Sequence, residues 1–164
     1  SLEPEPLETA GAIRYVLPLL GDAPFLLINS DVYCDIDLEH WLQNTRCAMG
    51  QAPSCEAFFM MVNNPKHNGS GDFCIAGDGT LAVGALEQKP LNATRISYTF
   101  AGVSVIKPKL ISEYPKARLK FALREVFDWA LSNNKIFANH YAGFWVDVGT
   151  PQRMAELEQV LAES

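Results

Sequence analysis

The sequence contains no long hydrophobic run. Its apolar stretches are all much shorter than the roughly 20 residues that a membrane-spanning helix needs. Its opening residues do not form the charged and then apolar pattern of a secretory signal. We therefore expect a protein with no membrane partner.

The sequence also lacks paired cysteines. Cys34, Cys47, Cys55 and Cys74 form no C-x-x-C pair, and no nearby histidines complete a zinc site. This spacing favours free thiols over a disulfide framework. We expect mostly buried thiols and a location in the reducing cytoplasm.

Positive charge is scarce in this chain. It has 13 Lys and Arg against 19 Asp and Glu, with a formal net charge of −6. A nucleic acid partner needs a basic face, so this balance argues against one. A phosphorylated small molecule remains possible, because a divalent cation can bridge acidic residues to a phosphate.

Two stretches of the sequence each have an apolar run that leads into an aspartate. Residues 25–31 read FLLINSD and end at Asp31, and residues 144–150 read FWVDVGT with Asp147 in the middle. An apolar run of this length predicts a strand covered on both faces, and open α/β sheets bind ligands at the carboxyl ends of their strands. We expect Asp31 and Asp147 to hold one Mg²⁺ ion together. The alternative for either residue alone is a helix cap or a turn.

Strands and helices alternate along the chain. A first helix is predicted from residue 7, with Thr9 as its cap, and a second over 38–49, between the cap Asp37 and the stop Gly50. Two more helices are predicted, one over 119–131 and one from residue 151 with Thr150 as its cap. Strands are predicted over 25–28, 57–62, 98–106, 135–140 and 143–148, with a hairpin of 72–75 and 80–83. This alternation indicates an α/β fold: one domain over residues 1–164, as a three-layer sandwich around a mostly parallel mixed sheet.

Three further stretches are candidates for ligand binding. Thr9, Ala10 and Gly11 would let a phosphate or a flat ring approach helix N–H groups, although close helix packing explains them equally well. Gly102 interrupts a strand, which marks close approach of a ligand or of another backbone. Residues 87–90 form either a solvated turn or a substrate contact.

Taken together, these stretches resemble the sugar-1-phosphate nucleotidyltransferases. LETAG at residues 7–11 is similar to their nucleotide-contacting segment, NSD at 29–31 to their N-G-D metal motif, and EQKP at 87–90 to their E-K-P turn. FAGV at 100–103 is similar to their sugar-side strand, and WVDVGT at 145–150 to their second metal motif. The order and the rough spacing agree over nearly the whole chain.

The resemblance implies roles for particular residues. Asp31 and Asp147 would be catalytic Mg²⁺ ligands, and Lys89 would offset charge on the sugar phosphate. The remaining positions would bind the substrates, a nucleoside triphosphate and a sugar-1-phosphate: Thr9, Ala10, Gly11, Asn29, Gly71, Glu87 and Gly102. Either Glu87 or Gln88 would face the sugar.

Within the family, two groups are the most similar. The loop with Asn64-Pro65, His67 and GDF at residues 71–73 is similar to the N-acetylmuramate α-1-phosphate uridylyltransferases, which would imply UTP as substrate and a role in cell-wall recycling. The mannose-1-phosphate guanylyltransferases are the competing group. Two other readings stay open: a glycosyltransferase using Asp35-Ile36-Asp37 as a D-x-D motif, and a catalytically dead binding or regulatory domain of the same fold.

One family feature does not occur in this sequence. The glycine-rich loop with its arginine and lysine, which wraps the triphosphate in the family, is absent, and Ser30 stands where the N-G-D motif has glycine. We expect a chain that is truncated at its N-terminus, lacks the first strand–helix unit, and is inactive alone.

Overall fold

The computed structural model describes residues 5–76, 83–88 and 96–163. The elements follow in the order α1 (Glu8–Leu20), β1 (Phe25–Ile28), β2 (Val32–Cys34), α2 (Leu38–Gln51), β3 (Ala57–Val62), β4 (Phe73–Ile75), β5 (Val83–Gln88), β6 (Ser97–Ile106), α3 (Pro108–Ser112), α4 (Leu123–Ser132), β7 (Ile136–Tyr141), β8 (Trp145–Asp147) and α5 (Pro151–Ala162). A short 3₁₀ turn, Lys66–Asn68, lies between β3 and β4.

A mixed sheet forms the centre of the fold, with the strand order β1-β6-β3-β7-β5-β4. The expected α/β class with a mixed sheet is confirmed. The expectation that the sheet is mostly parallel is wrong for the described residues, where β3 and β7 are the one parallel pair. The long strand β6 runs antiparallel between β1 and β3, also pairs with β4, and thus takes part in three of the antiparallel ladders.

Alternating residues of β3 face two separate cores. Ala57, Phe59 and Met61 pack in a cluster with residues of α1, α3 and α4. Phe58 and Met60 pack on the other face with residues of α2 such as Trp41. All six residues of β3 are buried. Because side chains alternate between the faces of a strand, a continuous apolar run needs cover on both sides, and the three layers follow from it.

Several local expectations are confirmed and several are wrong. Asp37 caps α2 by accepting from His40 N–H, and the Thr150 side chain caps α5. Thr9 does not cap α1, because Leu7 is the N-cap residue. Gly50 does not end α2, which continues to Gln51.

Other corrections concern strand pairing and burial. β4 pairs with residues 86–88 of β5, not with a strand over 80–83; residues 80–82 and the turn at 77–79 lie outside the described part. β1 is only half-buried and Ile28 is 45% exposed, so it is not covered on both faces as expected. The described cysteines are free, but Cys55 and Cys74 are the buried ones, whereas Cys47 is exposed.

No helix in the described ranges is long and apolar enough to cross a bilayer.

Candidate active site

Asp31 and Asp147 line one cavity of about 240 Å³. They meet because the short strands β2 and β8 pair in a two-stranded ribbon, with Val32 opposite Asp147. The Asp31 carbonyl oxygen accepts a hydrogen bond from Val148 N–H at 2.7 Å. The expected convergence therefore occurs, although β8 delivers Asp147 from this ribbon and not from the main sheet.

The wall of the cavity is built where β6 passes the end of β1. Gly102 has φ +75°, and a Cβ built on it would lie 2.9 Å from Asn29 Nδ2 and 2.9 Å from Val32 Cγ2. Asn29 N–H also donates to the Gly102 carbonyl oxygen at 2.8 Å. Gly102 is thus needed for close approach of another chain segment, and it lines the cavity together with Asn29.

Trp145 connects the β2–β8 ribbon to the main sheet. Its indole Nε1–H donates to the Ala101 carbonyl oxygen at 2.9 Å, and its side chain lines the cavity. A buried indole needs a partner for its N–H, so this bond fixes the ring and with it the strand that carries Asp147.

Two side chains, those of Arg153 and His67, contact the Asp147 carboxylate. Arg153 Nη1 lies 3.0 Å from Asp147 Oδ1 and 3.0 Å from Asp147 Oδ2. His67 Nε2 lies 3.2 Å from Asp147 Oδ1. Arg153 comes from the first turn of α5, where its own backbone N–H donates to the capping Thr150 hydroxyl at 3.3 Å. The position of Arg153 was not predicted, because only the docking of α5 brings it to Asp147.

The Asp31 carboxylate is in a different situation. Within the described part of the chain, no hydrogen-bond or ion-pair partner contacts it, although its side chain faces the cavity. Gly149 leaves the space above it open, since a Cβ built there would lie 3.2 Å from Asp31 Oδ2. An unpartnered carboxylate beside a second carboxylate suits a hard cation.

The loop after β3 forms the opposite wall through a network of polar side chains. Asn68 Nδ2 donates to Asp72 Oδ1 at 3.0 Å and to Thr99 Oγ1 at 3.2 Å, and Thr99 in turn donates to Asn64 Oδ1 at 3.0 Å. Asp72 Oδ2 accepts from Phe100 N–H at 2.9 Å. This network attaches the loop to β6. It places His67 and Asn68 on the cavity, so His67 is not simply a solvated loop residue.

The other predicted binding positions lie away from this cavity. Ala10 and Gly11 are buried, and Gly11 N–H donates to the Phe121 carbonyl oxygen at 3.2 Å. Helix packing, the alternative reading, therefore accounts for Gly11. Thr9 is exposed in the first turn of α1 and does not line the cavity.

Gly71, Glu87 and Lys89 have separate outcomes. Gly71 has φ +63°, and a Cβ on it would meet Asn64 Oδ1 at 2.6 Å, so the loop conformation requires a glycine there. Glu87 lies within β5 opposite Cys74, not in a turn, and does not line the cavity. Lys89 lies outside the described residues.

Asp35 and Asp37 have structural partners. The Tyr141 hydroxyl donates to Asp35 Oδ1, and Asp37 caps α2. Desolvation, aided by the Asp35 charge, raises the pKa of Tyr141 to about 12. Neither carboxylate lines the cavity. These contacts speak against the D-x-D reading of this stretch.

The donor set fits a magnesium ion that is completed by substrate. Among the described residues, no cluster of three or more His, Cys, Asp or Glu is arranged to hold a metal ion. Mg²⁺ is commonly held by one or two carboxylates, with phosphate oxygens and waters as its other ligands. Asp31 and Asp147 supply that number of carboxylates.

A comparison with known protein families decides the affiliation. The family model described as nucleotidyl transferase matches residues 1–164. The chain belongs to the nucleotidyl transferase family. Its mixed α/β sheet is therefore that of a nucleotidyl transferase domain.

Individual relatives of this nucleotidyl transferase domain are enzymes that act on sugar phosphates. It is 33% identical to the N-acetylmuramate alpha-1-phosphate uridylyltransferase of Neisseria meningitidis serogroup B, over 94% of the chain and 64% of that protein. It is 28% identical to the probable mannose-1-phosphate guanylyltransferase 3 of Arabidopsis thaliana, over 93% of the chain and 44% of that protein.

Solved structures support the fold. The chain superimposes with a TM-score of 0.66 on a putative glucose-1-phosphate thymidylyltransferase from Bacillus anthracis, at 17% identity, covering 93% of the chain and 60% of that structure. The chain thus spans less than two thirds of the length of each of these relatives.

Proposed function

We propose that the protein transfers a nucleotidyl group from a nucleoside triphosphate to a sugar-1-phosphate, forming a nucleotide-sugar and pyrophosphate. The observation that supports this most strongly is the meeting of Asp31 and Asp147 on one cavity in a nucleotidyl transferase domain. These residues lie far apart in sequence, so the fold is needed to bring them together.

The chemistry requires alignment and charge neutralisation more than proton transfer. A sugar phosphate oxygen attacks the α-phosphorus, and the pyrophosphate group leaves with the electron pair of the broken P–O bond. A phosphate monoester is already anionic near neutral pH, so no general base is required. Phosphoryl transfer of this kind depends on positioning and on cations that offset the charge of the reacting oxygens.

Asp31 and Asp147 would hold a Mg²⁺ ion, whose chemical contribution is to neutralise and orient the phosphate oxygens. The chain itself holds the two carboxylates in place through the β2–β8 ribbon and the Trp145 bond to Ala101. Asn29 and Gly102 border the space beside the carboxylates, and Lys89 would offset charge on the sugar phosphate.

For the specific substrates we propose UTP and N-acetylmuramate 1-phosphate, in cell-wall recycling in the cytoplasm. The support is the 33% identity to the Neisseria uridylyltransferase, together with the similarity of the loop that holds Asn64, His67 and Asp72. In the described structure this loop walls the cavity through His67 and Asn68. GTP with mannose-1-phosphate is the second candidate, favoured by the guanylyltransferase relatives.

A product assay tests the proposal on the full-length protein. Each pairing of UTP, GTP, dTTP or ATP with a panel of sugar-1-phosphates is incubated with Mg²⁺, and products are identified by mass spectrometry. We expect pyrophosphate and UDP-N-acetylmuramate with wild type. We expect a loss of about 100-fold or more with Asp147→Ala, in line with losses on removal of a group that stabilises transition-state charge.

The matched control is Asp128→Ala, which removes an exposed carboxylate paired with Arg124 on α4. Asp128→Ala should retain wild-type turnover. Release of free nucleoside diphosphate would identify a sugar transferase and reject the proposal. No turnover with any pair would instead support a binding domain of the same fold.

A further inference from the structure

Arg153 occupies an unusual place for an ion-pair partner. A single nitrogen, Nη1, lies 3.0 Å from each of the Asp147 carboxylate oxygens, so the guanidinium does not form the two parallel bonds of a fork-to-fork pair. Its Nε is buried and has no hydrogen-bond partner among the described residues. The guanidinium is therefore held by Asp147 but is not fully satisfied there.

The same guanidinium lies close to Gly149, and so does the Asp31 carboxylate. The point where a Cβ on Gly149 would lie is 3.0 Å from Arg153 Nη2 and 3.2 Å from Asp31 Oδ2. Gly149 thus borders both the Arg153 guanidinium and the Asp31 carboxylate. A side chain at this position would come too close to both the guanidinium and the Asp31 carboxylate.

We propose that Arg153 is the internal counter-cation of Asp147 and competes for it with the divalent ion that Asp31 and Asp147 would hold. The inference rests on the proposed function, since it concerns the cation that the two carboxylates would hold. The guanidinium offsets the charge of Asp147. A divalent ion that takes an Asp147 oxygen displaces the guanidinium from that oxygen.

The local sequence explains why the arginine is held in reach. Thr150 caps α5 through the backbone N–H of Arg153, and Pro151 occupies the first turn. The first turn of the helix is therefore fixed, and the Arg153 side chain extends back over Gly149 to Asp147. His67 also contacts the guanidinium, with its Nε2 at 2.9 Å from Arg153 Nη1.

Metal affinity distinguishes competition by Arg153 from a purely structural role of this residue. If Arg153 merely held Asp147 in the right orientation, its removal would weaken metal binding. If Arg153 competes with the ion, its removal tightens metal binding. The two roles are separated by the direction of one measured change.

Isothermal titration of Mn²⁺ into the full-length protein, without nucleotide, measures that direction. We expect Arg153→Gln to lower the Mn²⁺ dissociation constant by about threefold or more, on the scale of a partly exposed ion pair that no longer has to be broken. Arg153→Met, which keeps the apolar stem of the side chain, should act in the same direction and serves if the glutamine variant does not fold.

The matched control is Arg124→Gln, which breaks the exposed Arg124–Asp128 pair far from Asp147 in sequence and should leave Mn²⁺ affinity unchanged. Unchanged or weaker Mn²⁺ affinity in both Arg153 variants would overturn the inference. If Asp147→Asn loses Mn²⁺ binding while wild type and both Arg153 variants bind Mn²⁺ equally well, the inference alone is overturned and the proposed function stands. Absence of Mn²⁺ binding in wild type and in both Arg153 variants would reject the inference together with the metal part of the proposed function.

Discussion

Asp147 lies directly opposite Val32 in the β2–β8 ladder. Because Asp31 precedes Val32 in the chain, the two aspartates lie on adjacent, paired chain segments. The hydrogen bond from Val148 N–H to the Asp31 carbonyl oxygen, at 2.7 Å, continues that contact by one residue. The two carboxylates are thus positioned by main-chain hydrogen bonds, which do not depend on a bound ligand. We therefore expect the two carboxylates to hold the same positions before and after a cation binds.

Replacement of Gly102 by alanine should destabilise the fold and narrow the cavity. The backbone at Gly102 has φ +75°, and the new Cβ would lie 2.9 Å from Asn29 Nδ2 and 2.9 Å from Val32 Cγ2. We expect a loss of about 1–3 kcal/mol in the free energy of unfolding, the usual cost of a strained non-glycine conformation. Urea denaturation followed by circular dichroism measures it.

Gly50→Ala is the matched control for that change. Gly50 lies inside α2, and nothing lies within 4 Å of the Cβ position. This substitution should raise the free energy of unfolding by about 0.5–1 kcal/mol, because alanine is the better helix former. Equal effects at both positions would show that the Gly102 wall is not as tight as described.

High pH should destabilise the protein through Tyr141. Desolvation and the bond to Asp35 raise the pKa of Tyr141 from its usual 10.0 to about 12. Between these two values the unfolded chain has released the phenol proton while the folded chain keeps it. The free energy of unfolding therefore falls as pH rises from about 10 to 12, and this contribution is fully present below pH 10.

The difference between wild type and Tyr141→Phe isolates that contribution from the titration of lysines in the same range. Wild type should lose more stability than the phenylalanine variant between pH 10 and 12 in urea melts. Parallel pH profiles of the two proteins would contradict the raised pKa of Tyr141.

Local patterns in the sequence were sufficient for most elements of the fold. The apolar run at β3 predicted a strand buried on both faces, and Asp37 and Thr150 predicted two helix starts, because each signal depends on neighbouring residues only. Gly50 failed as a helix stop because packing of Met49 in the core extends α2 beyond it. The three-residue strand β2 gave no signal, since pairing with β8 alone defines it.

The site was predictable to a smaller extent. Asp31 and Asp147 were identified by their place at the ends of apolar runs, and their Mg²⁺ role remains a prediction. Arg153 and the Asn68–Asp72–Thr99 network were not foreseen. Their contacts span separate elements of the chain, and no spacing in the sequence encodes which way a side chain on α5 or on a loop will point.

The most direct test of the central claim is the Mn²⁺ affinity of Asp31→Asn, Asp147→Asn and the double variant. Two carboxylates that share one ion act as a unit, so each single change should weaken Mn²⁺ binding at least about tenfold, and the double change should add less than the sum of the two. Circular dichroism would confirm that each variant stays folded. Wild-type Mn²⁺ affinity in either single variant would contradict the shared site.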